Sequence, residues 1–485
     1  MRLTVFARPM SGRLRHIMDF HSAGPAAKFV RGAVFAAAAL VSLVLVTPPV
    51  YSQGAVNNAQ SSAEIAPPVR FSVAPKAMAA ISMKVLPKGS CTLRAEGASD
   101  AAHSLKLFAD DDGTVRFHVR PSAESDESAR FQIDCQAGGQ TSSFPLELRP
   151  SASPTDDMPA PSFEFSPANV NGHVRPALAV QEAMQMAPED LIKQEYPPRP
   201  DPQKMPDAFA TWLKAVTKPA TFVPARLVAN PGVTHVFQPA SGGLSTSGNW
   251  SGFELHGPAQ TFNTVFGEWH VPAIALGEAN VATYSAFWIG LDGDGTNDLV
   301  QDGTEQNLQE LCFYFGCFDF TSYYAWSEFL PQQPTEQIVA GFTVSPGDEM
   351  YSNLSMCTFS GPYCFGVYNG TNAAFLLEDI TRSEYTLFYT PRGSTHVGGS
   401  EAEWIMERPG INNSLPDLAN YVFAIMSDAY ACNDGFPDSA NCLNFNSPQP
   451  GTTSKEIWMY NGSDLLSWVV PISNSEMEFV WSNWH

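Results

Sequence analysis

Positive charge is nearly missing from half of this 485-residue chain. From residue 248 onward, Arg382, Arg392, Arg408 and Lys455 are the only cations among 28 Asp and Glu, whereas the first 247 residues are close to neutral and the whole carries −22. A phosphate backbone demands a basic face, so nucleic-acid binding is excluded for the acidic half. Histidine is also sparse there: His256, His270, His396 and His485 stand alone, with no His-Glu-x-x-His pair, and no Gly-x-Ser-x-Gly elbow occurs. Helical zinc peptidases and α/β-hydrolases are thereby set aside. No Cys-x2-Cys repeats and no histidine lies at ligand spacing beside a cysteine, which argues against a metal centre. Long apolar runs are lacking after residue 46, so nothing downstream is expected to cross a bilayer.

What is present points outward from the cell. Arginines at 2, 8, 13, 15 and 31 precede an apolar run over 32–46 and the small-residue stretch Val50-Tyr51-Ser52, the layout of a signal peptide over residues 1–52. Eight cysteines fit an oxidising, secreted or periplasmic setting; proximity suggests the pairs 91–135, 312–317, 357–364 and 432–442. Excess carboxylate suits an acid milieu, where protonation near the reference values of about 4 relieves self-repulsion.

Composition shifts divide the chain. Aromatics are plentiful and Gly, Pro, Ser and Asn recur between short apolar segments, which predicts an all-β protein. Residues 53–150 read as a small β-rich N-terminal domain, and 151–205 as a proline-rich extended linker. A helix is predicted over 206–216, and a Gly/Ser hinge over 241–248, so that 151–247 form a linker and pro-segment with one short helix. Over 202–247, Lys204, Lys214, Lys218 and Arg226 stand against Asp207 alone, and attraction of this positive part to the acidic half is expected to lay the helix over a carboxylate-lined cleft.

Within 248–485, strands are expected over 262–271, 282–291, 323–330, 342–345, 373–377, 385–389, 401–406, 421–426, 456–460 and 466–471, packed as two antiparallel sheets. The period of two places Phe287, Ile289 and Leu291 in the core and Tyr284, Trp288 and Asp292 on the opposite face. It likewise sets Glu401, Glu403, Ile405 and Glu407 against Trp404 and Met406, and Tyr324, Trp326 and Glu328 against Ala325, Ser327 and Phe329. Three strands thus present aromatics or carboxylates on one face, as a polymer-binding cleft would.

The ordered series Asn249-Trp-Ser-Gly-Phe253, Gly267-Glu-Trp-His-Val-Pro272, Phe287-Trp-Ile-Gly-Leu-Asp-Gly-Asp294, Val300-Gln-Asp-Gly303, Tyr324-Ala-Trp-Ser-Glu-Phe-Leu-Pro331, Val344-Ser-Pro-Gly-Asp348 and Ala402-Glu-Trp-Ile-Met-Glu407 resembles the glutamic peptidase (eqolisin) family over about residues 248–485. The resemblance implies a concanavalin-like antiparallel β-sandwich and an acid endopeptidase made as a zymogen, with Gln301 and Glu403 as the catalytic pair. Asp302 and Arg408-Pro409 depart from the family's usual residues, which bears on substrate preference. A carboxylate near its pKa can take a proton from water and return it to the leaving amine, while an amide donates to the oxyanion. No cofactor is required.

Trp250, Trp288, Asp292, Glu305, Trp326 and Glu328 are the candidate substrate-binding residues, as subsite walls or as charges that tune the pair. The expected partners are protein or peptide substrates and the chain's own pro-segment, with a monomeric state and no membrane contact after signal removal. Asp292-Gly-Asp294-Gly-Thr-Asn-Asp298 resembles a calcium loop but lacks its Gly and bidentate Glu. The competing function is a secreted carbohydrate-binding or glycoside-hydrolysing domain, using Glu403 with Glu328.

Overall fold

Segments with one apolar face must bury it, and the strands of residues 245–485 do so by stacking two sheets over a common core. The computed structural model describes residues 50–54, 68–73, 78–96, 104–121, 128–150, 173–240, 245–275, 281–313, 316–356, 372–390, 397–433 and 442–485. Residues 1–49 of the expected signal peptide, the first part of the linker, Cys357, Cys364 and residues 241–244 of the hinge lie outside them. No helix among the described residues is long and apolar enough to cross a membrane.

An N-terminal module contains β1 (Val69–Val73), β2 (Ala79–Lys84), β3 (Ser90–Ala95), β4 (Ser104–Phe108), β5 (Thr114–Pro121), β6 (Ala129–Ala137) and β7 (Gln140–Pro150). Then come α1 (Val180–Gln185), α2 (Pro188–Lys193), α3 (Pro206–Val216), β8 (Ala220–Phe222) and β9 (Arg226–Ala229). The sandwich is built from β10 (Trp250–His256), β11 (Thr264–His270), β12 (Ala282–Leu291), β13 (Leu299–Phe313), β14 (Gly316–Leu330), β15 (Gln337–Thr343), β16 (Glu349–Met356), β17 (Ala373–Asp379), β18 (Glu384–Tyr389), β19 (Glu401–Glu407), β20 (Phe423–Cys432), β21 (Thr453–Asn461), β22 (Asp464–Pro471) and β23 (Met477–Trp481).

One sheet runs β9-β15-β14-β13-β12-β19-β10-β21, antiparallel throughout. The other runs β21-β22-β23-β20-β11-β16-β17-β18, joined to the first through β21, and β8 adds in parallel at its edge. Between them lie Phe287, Ile289, Leu291, Phe329, Trp404 and Met406 from the first sheet, against Val265, Trp269, Leu354, Phe375 and Phe479 from the second. The face assignments of β12, β14 and β19 therefore hold, and the opposite face of the first sheet carries Trp250, Trp288, Trp326 and Ile405.

The hairpin β13–β14 is paired from Leu299–Leu330 to Phe313–Gly316, well beyond the sandwich. Its far end carries the Cys312–Cys317 bridge and inserts Leu311, Phe318 and Phe320 into the core of the N-terminal module. There Phe131 meets Phe313, Phe318 and Phe320 edge-on at ring distances of 4.7–5.7 Å. Strand β5 also pairs with β14, Pro121 opposite Phe318. Of the other expected bridges, Cys91–Cys135 and Cys432–Cys442 form.

Residues 173–229 differ from an extended linker in having two further short helices and a small core of Leu178, Leu191, Tyr196, Trp212 and Val216. Helix α3 has the expected bounds, with Pro206 at its first turn and one apolar stripe. Its position overturns the electrostatic expectation: Ala208 and Ala215 pack on Phe266 and Tyr351, on the outer face of the second sheet and across the sandwich from the Gln301–Glu403 face. Lys214 pairs there with Glu349, and Thr211 donates to Glu268 at 2.6 Å. Charge counting located an attraction but not which acids would receive it, and apolar packing fixed the address. From α3 the chain continues through β8, on the edge of the second sheet, to β9 on the edge of the first.

Arg175 anchors this wrap. Its guanidinium donates to Glu378 at 2.6 Å with both side chains buried, and lies 4.5 Å above the Tyr385 ring. Arg175→Ala leaves Glu378 buried without its partner and is expected to lower unfolding free energy by about 3–5 kcal/mol, read from denaturant melts.

Candidate active site

Cross-strand register places the two candidate catalytic residues. Gly290 of β12 faces Gln301 of β13 on one side and Glu403 of β19 on the other, so the pair is separated by two strand spacings of about 4.8 Å each. The same row continues outward to Glu254 beside Glu403 and Glu328 beside Gln301. A Cβ on Gly290 would come within 2.8 Å of Trp288 and 3.2 Å of Glu403 Oε2, so glycine keeps the floor between the pair open. The next row is Gly252, Ile405, Trp288, Gly303 and Trp326, and the third is Trp250, Glu407, Ala286, Glu305 and Tyr324. A Cβ on Gly303 would strike the Phe287 carbonyl at 2.3 Å, so a glycine there lets the Trp288 and Trp326 strands pair undisturbed.

Both Glu403 oxygens are buried and without a hydrogen-bond partner among the described residues. Burial first, then the charges of Glu254, Glu401, Asp292 and Glu407, hold its pKa well above the ordinary carboxylate value. Burial likewise raises Glu305, with Glu336 adding to it. Glu328 is pushed to about 8 by burial, against the pull of His235. The Gln301 amide donates to Glu328 Oε2 at 3.0 Å and to the His235 carbonyl oxygen at 3.2 Å.

His235 is the residue that covers the site, and it lies upstream of the sandwich. Its ring stacks on Trp326 at 3.7 Å and 6°. Nδ1 lies 2.9 Å from Glu407 and Nε2 3.0 Å from Glu336, with Glu305 at 3.8 Å. Its backbone N–H donates to Glu328 at 3.2 Å. Burial opposes an imidazolium here, yet the Glu407 charge and the hydrogen bonds to Glu336 and Glu407 raise its pKa well above the usual histidine value. Next to it, Phe237 packs edge-on against Trp250 at 5.1 Å, and Val236 accepts from the Asn249 amide at 3.0 Å.

Five of the six candidate substrate-binding residues, Trp250, Trp288, Trp326, Glu305 and Glu328, share the face of Gln301 and Glu403, and all are fully buried. Asp292 sits apart. At the end of β12, with φ of +62°, it accepts from the backbone of Gly399, Ser400 and Glu401 and from the Ser400 hydroxyl, tying down the turn that leads into β19. Two residues on, the Asp294 carboxylate pairs with Lys455 and its backbone N–H donates to Glu401 at 3.0 Å.

Glu254, Glu336, Asn230, Asn249 and His235 were not singled out from sequence as site residues. Alternation along Trp250-Ser-Gly-Phe-Glu254 offered a signal for Glu254; Glu336 and His235 lie outside regular strands and offered none. His235, Glu305 and Glu336 are close enough to share a cation, and the imidazole Nε2 lies 3.0 Å from Glu336.

The row Glu254–Glu403–Gly290–Gln301–Glu328 sets a carboxyl and an amide on one buried face, and the sequence around it decides the lineage. Residues 248–457 match the model of the Peptidase A4 family. They are a glutamic-peptidase region. The chain has 17% identity to a scytalido-glutamic peptidase solved with a peptide-based transition-state analogue, over 48% of this chain and 98% of that one at a TM-score of 0.35. It is also similar to SCP-B, a member of the eqolisin family solved with the tripeptide Ala-Ile-His, at 17% identity, 48% and 98% coverage and a TM-score of 0.34. No curated protein matches the chain.

Buried acids set the pH dependence of the A4 region's stability. Asp302, behind Gln301, accepts from Ser352 at 2.6 Å, and burial raises it to about 8, as it does Glu328. Folded values above the unfolded ones mean stability that is complete below about pH 4 and lost as pH rises towards about 8. The thermal midpoint is therefore expected to fall between about pH 5 and 8, with a shallower fall in Asp302→Asn, by calorimetry.

Proposed function

We propose that this protein is a secreted acid endopeptidase in which Glu403 and Gln301 hydrolyse peptide bonds, made as a zymogen whose site is covered by its own 233–238 segment. The observation that carries the reading is Gly290 between the pair: it leaves a gap, floored by glycine, where a scissile peptide and a water can lie between carboxyl and amide. With the segment gone, water reaches Glu403 and the burial that raises its pKa is relieved. Its carboxylate then takes a proton from the attacking water, Gln301 donates to the developing oxyanion, and the proton passes to the leaving amine.

Covering silences the site twice. The segment fills the space above Trp326 and Gln301, and its burial keeps Glu403 protonated and unable to act as a base. Titration pulls both ways: Glu403, Glu305 and Glu328, raised in the covered state, favour docking as pH falls, and Glu336 opposes them. Hydrogen bonds from His235 hold Glu336 below the ordinary carboxylate value despite burial, so this contribution to docking is present above about pH 4.5 and lost as pH falls through the lowered value. A glycoside-hydrolysing reading would pair Glu403 with Glu328, but Glu328 already accepts from the Gln301 amide, and no such role explains an amide facing the gap.

Glu403→Gln is expected to abolish digestion of denatured globin at about pH 3–4 while leaving the circular dichroism unchanged, because the amide can neither take nor return a proton. Gln301→Ala is expected to lower kcat by about a hundredfold or more with a smaller change in KM, since oxyanion donation strengthens in the transition state. Hydrolysis of glucans with no cleavage of globin would favour the carbohydrate reading.

A further inference from the structure

The segment over the site is held as a substrate would be. Gln301, the proposed oxyanion donor, bonds the carbonyl oxygen of His235 itself, which puts the His235–Val236 peptide where a scissile bond belongs. The pocket that receives the His235 side chain then receives the residue on the acyl side of the bond. Its floor is the Trp326 ring, parallel to the imidazole. Its two opposite walls are acceptors, Glu407 at Nδ1 and Glu336 at Nε2, with Glu305 behind.

Those walls are held in place. Trp288 Nε1 donates to Glu407 at 2.8 Å and Asn249 to its other oxygen at 2.9 Å, and both donors belong to the A4 region. Asn230, just upstream of the segment, donates to Glu336 at 2.8 Å. A flat side chain with N–H donors on opposite edges and a positive charge satisfies floor and walls together. Phenyl or isobutyl would stack but leave buried carboxyl groups without donors, and an ammonium would reach one wall without stacking.

From this, and resting on the Gln301–Glu403 reading, we propose that Trp326, Glu336, Glu407 and Glu305 form the subsite for the acyl-side residue, and that it selects a planar cationic side chain, imidazolium or guanidinium. The charged groups facing that side chain are Glu305 from β13, Glu328 from β14, Glu336 from the turn before β15 and Glu407 from β19. All are acids, and no cation from these elements offsets them.

Two measurements test it. The first uses the full-length chain carrying Glu403→Gln, so that no cutting occurs, and follows hydrogen exchange at the amides of His235 and Gln238, which donate to Glu328 and Asn249. At about pH 5, His235→Arg should keep protection within roughly threefold of the parent, and His235→Phe should lose about tenfold or more. Equal protection in the Phe and parent chains overturns the pocket. The second compares peptides differing at the acyl-side residue, cut by the acid-treated wild-type chain. His and Arg peptides should exceed the Phe peptide in kcat/KM by about tenfold or more, a margin that narrows in Glu336→Gln. A Phe peptide cut as well as the His peptide also overturns it. If no peptide is cut, the Gln301–Glu403 reading fails, while the exchange experiment still decides whether the pocket selects a cation.

Discussion

One histidine stands as the cation at the centre of an acidic sheet face. Glu254, Glu305, Glu328, Glu403 and Glu407 project from four neighbouring strands and Glu336 joins them from a turn, all without solvent. Buried carboxylates at such density must lose their protons only where a cation stands by. Lys455 serves Glu254 at the rim, at 3.1 Å, and His235 serves the centre. Around that centre Glu336 is held low and Glu305, Glu328 and Glu403 are held high. The covered state is thus a particular pattern of protons, maintained by a residue that the A4 region does not contain.

The rest of the molecule positions that residue. Arg175, the small helical core and β8 fasten the 173–222 stretch to the second sheet, and β9 carries the chain round the edge onto the first. At the other end of the site the N-terminal module grips the tip of the β13–β14 hairpin, whose near half carries Gln301, Glu305, Trp326 and Glu328. Among the described residues, covalent links lie away from the centre. The bridges Cys91–Cys135 and Cys312–Cys317 lie in and beside the N-terminal module, and Cys432–Cys442 lies on the second sheet.

Much of the sandwich was legible because its strands alternate. β12, β14 and β19 bury every second residue in the core, and their other face was read correctly as aromatic and acidic. β13 escaped: Leu299-Val-Gln-Asp-Gly-Thr-Glu-Gln-Asn-Leu-Gln-Glu-Leu-Cys-Phe313 shows no apolar alternation, since one face is the site and the other includes buried Asp302 and Thr304, whose partners Ser352 and Trp269 come from the second sheet. A strand polar on both faces, whose partners come from distant segments, has no apolar alternation to mark it. The cover was misplaced for a related reason. Net charge said that the pro-segment should meet acids, but acids lie on both outer faces of the sandwich, and α3 went where its Ala208 and Ala215 stripe could pack. A lone histidine in an irregular stretch carried nothing to mark it.

The central claim is that one chain carries both the Gln301–Glu403 site and the segment that silences it. Its most direct measurement follows the full-length chain by intact mass and N-terminal sequencing alongside peptidase activity as pH is lowered from about 7 to 3. The account predicts an intact, inactive chain at neutral pH, and at acid pH a new N-terminus at Val236 or beyond that appears together with activity. Full activity from a chain still carrying its 233–238 segment would contradict it.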